Sequence, residues 1–118
     1  MSAIEGRWRI TETDLWCEDD LDILGEAEIV FARGGVGSIQ VGALQAGLDY
    51  RFDKLGRPPR ADFTWSGADE MDPVSGRGWV ELEGASLRGK LFIHMGDDVT
   101  FRAAREDSKR RRGRRTNG

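Results

Sequence analysis

Residues 76–105, GRGWVELEGASLRGKLFIHMGDDVTFRAAR, decide the fold. Val80 and Leu82 alternate there with Trp79, Glu81 and Glu83. Past Gly84-Ala85, Leu87, Leu91, Ile93 and Met95 alternate with Arg88, Lys90, Phe92 and His94. A period of two over this length belongs to strands with one buried face, because a helix repeats its apolar positions every three to four residues. A two-residue turn that pairs Glu83 with Ser86 sets Leu82 against Leu87, Glu81 against Arg88 and Trp79 against Lys90. One register then satisfies the apolar face, an ion pair and a cation–π contact. The next turn, at Gly96-Asp97-Asp98, predicts Met95 beside Val99 and Ile93 beside Phe101 on the inner face. On the outer face it predicts Phe92 against Arg102 and His94 against Thr100. This is an antiparallel meander with one wet side.

The same pattern continues towards the N-terminus. Residues 6–11 alternate, with Trp8 and Ile10 inward. Residues 12–25 do not; they read as a short helix capped by Asp14 or as an irregular, acid-rich loop. A second strand over 26–33 turns Ala27, Ile29 and Phe31 inward, and Gly34-Gly35-Val36 reverses the chain. A third, over 37–44, sets Ile39 opposite Phe31 and Val41 opposite Ile29. After a turn at Gln45-Ala46 the fourth strand points Leu48, Tyr50 and Phe52 inward. The run KLGRPP at 54–59 is a turn signal. A fifth strand, 60–66, directs Phe63 and Trp65 inward; pairing Tyr50 with Phe63 places Arg51 against Asp62 and Asp53 against Arg60. Residues 67–75 read as a longer loop. The sum is an all-β chain of eight short strands, a small antiparallel up-and-down barrel, with a two-sheet sandwich as the alternative.

The length of 118 residues suits one domain, 1–105, followed by a basic tail, 106–118, that lacks apolar residues and is expected to be disordered. No run approaches the roughly 18 apolar residues of a membrane-spanning helix, so no membrane partner is expected. The start MSAIEGRWRI lacks the basic-then-apolar pattern of a secretory leader. The single cysteine, Cys17, has no internal disulfide partner, and with His94 the only histidine no Cys/His zinc cluster forms. A cytoplasmic protein without a cofactor is the expectation. The net charge of −3 divides unevenly: residues 105–118 hold seven Lys/Arg and two acids, which leaves −8 on the rest.

Gly6-Arg7-Trp8 at the head of the first strand, with Arg102 and Arg105 at the end of the last, resembles the calycin pattern of lipocalins and their relatives. The resemblance implies a barrel in which an arginine of the final strand packs over the tryptophan. The inward parity of the last strand selects Arg105 for that contact. The runs WRITETDLWCEDDLDILGEAEI, MDPVSGRGW and HMGDD also look like a family of short uncharacterised bacterial proteins, a likeness that implies no activity.

Strand order makes a further prediction. In an up-and-down meander alternate connections lie at opposite ends, so those at 12–25, 45–46, 67–75 and 96–98 share one end. That end collects Glu12, Asp14, Glu18, Asp19, Asp20, Asp22, Asp69, Glu70, Asp72, Asp97 and Asp98, near Trp16 and Trp65. The other end collects Arg33, Lys54, Arg57, Arg60 and the tail. The bland interpretation of the acidic rim is a solvated surface. Its functional interpretation is a docking face for a basic protein segment or an amine, with acids steering and tryptophans stacking. Trp16, Asp19, Asp20, Trp65, Asp69, Glu70, Asp72, Asp97 and Asp98 would carry it. A small-ligand carrier with an internal calyx is the alternative, and a divalent-cation site at the acids a lesser one, since no EF-hand spacing is present. No carboxylate pair or activated nucleophile stands out, so an enzyme is the least supported class. The tail residues 109–115, KRRRGRR, suit weak, salt-sensitive and non-specific nucleic-acid binding, or head-to-tail oligomers with a neighbour's acidic rim.

Overall fold

The computed structural model describes residues 3–14, 22 and 25–105. They build eight strands: β1 (Gly6–Thr13), β2 (Glu28–Phe31), β3 (Val36–Val41), β4 (Leu44–Asp53), β5 (Arg60–Asp69), β6 (Asp72–Glu83), β7 (Ser86–Ile93) and β8 (Asp98–Arg105). Each pairs antiparallel with its sequence neighbour, and β8 returns to pair with β1, so the sheet closes as a barrel in chain order. Closure, rather than a two-sheet sandwich, leaves no free edge along the wall. A bulge between Ile10 and Glu12 eases β1 onto β8. No helix among the described residues is long and apolar enough to cross a membrane.

The alternation seen in the sequence becomes an inside and an outside. Trp8, Ile10, Ile29, Phe31, Ile39, Leu48, Tyr50, Phe63, Trp65, Val80, Leu87, Leu91, Val99 and Phe101 are buried, and no polar or charged residue is buried with them among the described residues. Phe31 meets Tyr50 edge-on at 4.9 Å and Phe63 at 6.2 Å between centroids, and the Tyr50 hydroxyl donates to the Ala32 carbonyl at 2.7 Å. Gly78 and Gly89 occupy inward positions where a Cβ would press into the rings of Phe63 and Phe101. Aromatic rings thus fill the space that glycines on the neighbouring strands leave empty.

The β6–β7 register is as predicted, with Leu82 facing Leu87, Glu81 facing Arg88 and Trp79 facing Lys90. The β4–β5 register is also as predicted, with Tyr50 facing Phe63 and Arg51 facing Asp62. Three other connections differ. Ile29 faces Ile39 and Phe31 faces Gly37 rather than Ile39, because Gly34 and Gly35, at φ 91° and 83°, make the turn and release Val36 into β3. The next turn falls at Gly42-Ala43, where Gly42 supplies φ 57°, so Gln45 and Ala46 belong to β4 and not to a turn. The expected loop 67–75 is instead strand on both sides of a two-residue turn, Glu70-Met71, and Asp69 faces Asp72 across it.

The β7–β8 pairing is displaced as well. Leu91 faces Val99, Phe92 faces Asp98 rather than Arg102, and Lys90, not His94, faces Thr100. The turn takes up residues 94–97, with the Gly96 amide donating to the Ile93 carbonyl at 2.8 Å. Met95 therefore stands at the tip, 94% exposed, instead of on the inner face. Most of the proposed helix or loop at 12–25, and the tail 106–118, lie outside the described residues.

Candidate functional site

The turns at 42–43, 70–71 and 94–97 lie at one end of the barrel, together with the connection that leaves β1. Those at 32–35, 54–59 and 84–85 lie at the other. Segments 42–43, 67–75 and 94–98 contain no Lys or Arg, so the charges on these described turns are all acidic. Asp69, Glu70 and Asp72 come together on the β5–β6 tip, and Asp97 and Asp98 stand on the β7–β8 tip. Among the described residues Asp69, Glu70, Asp72 and Asp97 have no ion-pair partner, while Asp98 reaches Lys90 only at 4.0 Å. Exposed Met71 and Met95 cap the same two hairpins. Glu70, Met71 and Met95, at φ 50°, 79° and 61°, are the non-glycine residues with left-handed backbone among the described residues, and all three lie at this end.

Other acids expected at the rim serve the wall instead. Asp14 accepts from the Thr100 amide at 2.9 Å, and Glu12 pairs with Arg102 at 3.6 Å. Asp22 accepts from Arg9 at 2.6 Å and from the Ala27 amide at 2.8 Å. The Arg9 hydrogen bond is the main cause holding its carboxyl below the usual carboxylate range, against an opposing push from burial. Among the described residues no three His, Cys, Asp or Glu side chains converge as a metal-ligand set. Trp65 turns into the core, 3% exposed, and its indole N–H donates to the Arg77 carbonyl at 3.1 Å, so its ring offers no stacking face at the rim. Trp16, Asp19 and Asp20 lie outside the described residues.

At the opposite end Arg105 lies over Trp8, its guanidinium carbon 4.0 Å from the ring centroid. The same guanidinium donates to the Glu5 carbonyl at 2.6 Å and the Ala3 carbonyl at 2.7 Å, and the Trp8 indole donates to the Ile4 carbonyl at 2.9 Å. These contacts tie residues 3–5 across the barrel bottom, where Ile4 is fully buried. Burial lowers the Arg105 pKa, which leaves a guanidinium charged at any physiological pH. Arg102 points outward to Glu12 and Glu83 and takes no part. Gly6, at φ 129°, is close enough to Arg105 that a Cβ there would collide with the guanidinium.

A feature missed in the sequence lies on the outer wall. Val36, Asp49, Thr64, Arg77 and Phe92 are successive cross-strand partners from β3 to β7 and form one outward row. On the rim side of this row the small residues Gly47, Ser66 and Ser75 leave a trough of about 940 Å³ that also reaches His94. On its other side a second trough of about 510 Å³ is bounded by Arg51, Asp62 and Trp79. Comparison of the chain with protein-family models, with curated proteins and with solved structures returned no match, so the site rests on its own geometry.

Proposed function

We propose that the protein is a non-catalytic binding module whose acidic barrel end holds a cationic partner, a Lys/Arg-rich protein segment. The observation that carries this reading is the β5–β6 tip, where Asp69, Glu70 and Asp72 lie together with no ion-pair partner among the described residues. A basic segment supplies the missing charge, and the field of the rim steers it in. Met71 and Met95, at 92% and 94% exposure, offer pliable apolar contact for the aliphatic stems of Lys and Arg. Large residues held in left-handed backbone at these tips support the same reading, since glycine would occupy those positions with less strain.

An internal calyx for a small ligand is the weaker reading, because Trp8, Phe31, Tyr50, Phe63, Trp65 and Phe101 occupy the interior. Gly6, Trp8 and Arg105 are consistent with calycin kinship on either reading. The proposed setting is the cytoplasm, where the Cys17 thiol stays reduced.

Anisotropy of a labelled Lys/Arg-rich peptide tests the proposal. The double substitution D69K/E70K is expected to abolish binding while moving Tm by no more than about 2 °C, because these groups stand on a hairpin tip outside the core. Equal affinity of wild type and the reversed variant would sink the proposal.

A further inference from the structure

The barrel end opposite the acidic rim carries the contrary charge. Arg33 on the 32–35 turn and Lys54 and Arg57 on the 54–59 turn are exposed, and none of them has an ion-pair partner among the described residues. The two turns are neighbours, because β3 pairs with β4 and the Gly35 carbonyl accepts from the Tyr50 amide at 2.8 Å. β8 finishes at the same end, so residues 106–118, with six Lys/Arg and two acids, depart from it. The acids among the described residues here are Glu5, Asp53 and Glu83. Glu83 is engaged by Arg88 at 3.4 Å and Arg102 at 3.2 Å, Asp53 accepts from the Leu55 amide at 3.0 Å, and Glu5 is half-buried. Of the four large apolar residues exposed among the described ones, Met71 and Met95 stand on the rim and Val36 on the wall. Leu55, 82% exposed, stands on the basic turn next to Lys54 and two residues from Arg57. That turn is held from both sides: the Gly56 amide donates to the Asp53 carbonyl at 3.3 Å, and the Leu82 amide donates to the Pro59 carbonyl at 2.9 Å.

We infer that this end rests on an anionic lipid surface, with Leu55 entering the boundary between headgroups and acyl chains. Arg33, Lys54, Arg57 and the basic run 109–115 then face the lipid phosphates. The leucine decides between possible anions. It gains free energy on leaving water for the lipid boundary, whereas against a nucleic-acid backbone it stays wet. No aromatic residue stands on the turns 32–35, 54–59 and 84–85 to stack on a base. Charge polarity sets the orientation. The ten residues of β4, tilted in the barrel wall, put the acidic rim roughly 25 Å away. That is about three times the Debye length of about 8 Å at physiological salt, so the net charge of −3 does little to oppose the contact. A surface contact of this kind needs no membrane-spanning run, and it leaves the rim facing away from the lipid. The inference is independent of the peptide reading, since the two faces share no residue.

Flotation of the full chain with vesicles of phosphatidylcholine alone, and of an equal mixture with phosphatidylglycerol, tests the inference. The chain should float with the mixed vesicles and stay behind with the neutral ones. K54E/R57E should weaken the partition at least about tenfold, L55S about threefold or more, and D69K/E70K should leave it unchanged. Both loop variants should melt within about 2 °C of wild type, because the substituted side chains are exposed. Anisotropy of a labelled oligothymidylate provides the nucleic-acid arm, and L55S should leave that signal unchanged. The inference is overturned if the mixed vesicles do not carry the chain, if neutral vesicles carry it equally, or if either loop variant floats as wild type does. It is likewise overturned if L55S weakens oligothymidylate binding as much as vesicle binding.

Discussion

Arg105 ties the two ends of the barrel chain together. It joins the last strand to residues 3–5 through two short hydrogen bonds and covers Trp8 with its guanidinium. Charged hydrogen bonds to backbone and a partly buried cation–π contact together predict a loss of about 2–4 kcal/mol for R105A. G6A should cost a comparable amount by another route, since an L-residue resists φ 129° and its Cβ meets the same guanidinium. Because both changes break one arrangement, urea unfolding of the double variant should fall short of the sum of the singles by about 1 kcal/mol. Strict additivity would show that Gly6 and Arg105 act separately. The choice of Arg105 over Arg102 was legible in the sequence. Residues 99, 101 and 103 are inward apolar positions, and strand parity carries that face to 105.

The hairpins show which parts of strand pairing a sequence discloses. A period of two fixes the face each residue presents but not the partner it meets. The β2–β3, β3–β4 and β7–β8 registers accordingly differ from the predicted ones by two, six and four residues, always an even number. Turns with left-handed glycine at 34, 35 and 84 were visible; those built on Glu70, Met71 and Met95 were not, because no residue-type signal marks them. The same strain makes a prediction. M71G and M95G should each raise stability by about 0.5 kcal/mol, as relief of the left-handed cost exceeds the added freedom of the unfolded chain. Each should also weaken capture of the basic peptide by removing an exposed thioether. If urea unfolding shows M71G less stable than wild type, the turn is not strained and its support for the rim disappears.

For the molecule as a whole, charge polarity was the most robust inference because it needs only the number of strands. A slipped register moves no loop to the other end, and among the described residues the acid-bearing β5–β6 and β7–β8 turns share one end in spite of three slips. The wall troughs required more. Their row passes from Asp49 through Thr64 to Arg77 and Phe92, so three registers must hold at once. Reading 67–75 as a loop left the middle one unassigned. The polarity has a measurable consequence. The Debye length shrinks from about 10 Å at 0.1 M salt to about 3 Å at 1 M, so a rim that works through its summed field must lose its partner as salt rises. Affinity for the Lys/Arg-rich peptide should fall at least about tenfold between 0.05 and 0.5 M NaCl. Unfolding free energy over that range should change by no more than about 1 kcal/mol, since the ion pairs on the barrel wall are exposed and individually weak. A salt-independent affinity would move the binding energy from the carboxylates to Met71 and Met95, and D69K/E70K would then leave the peptide bound.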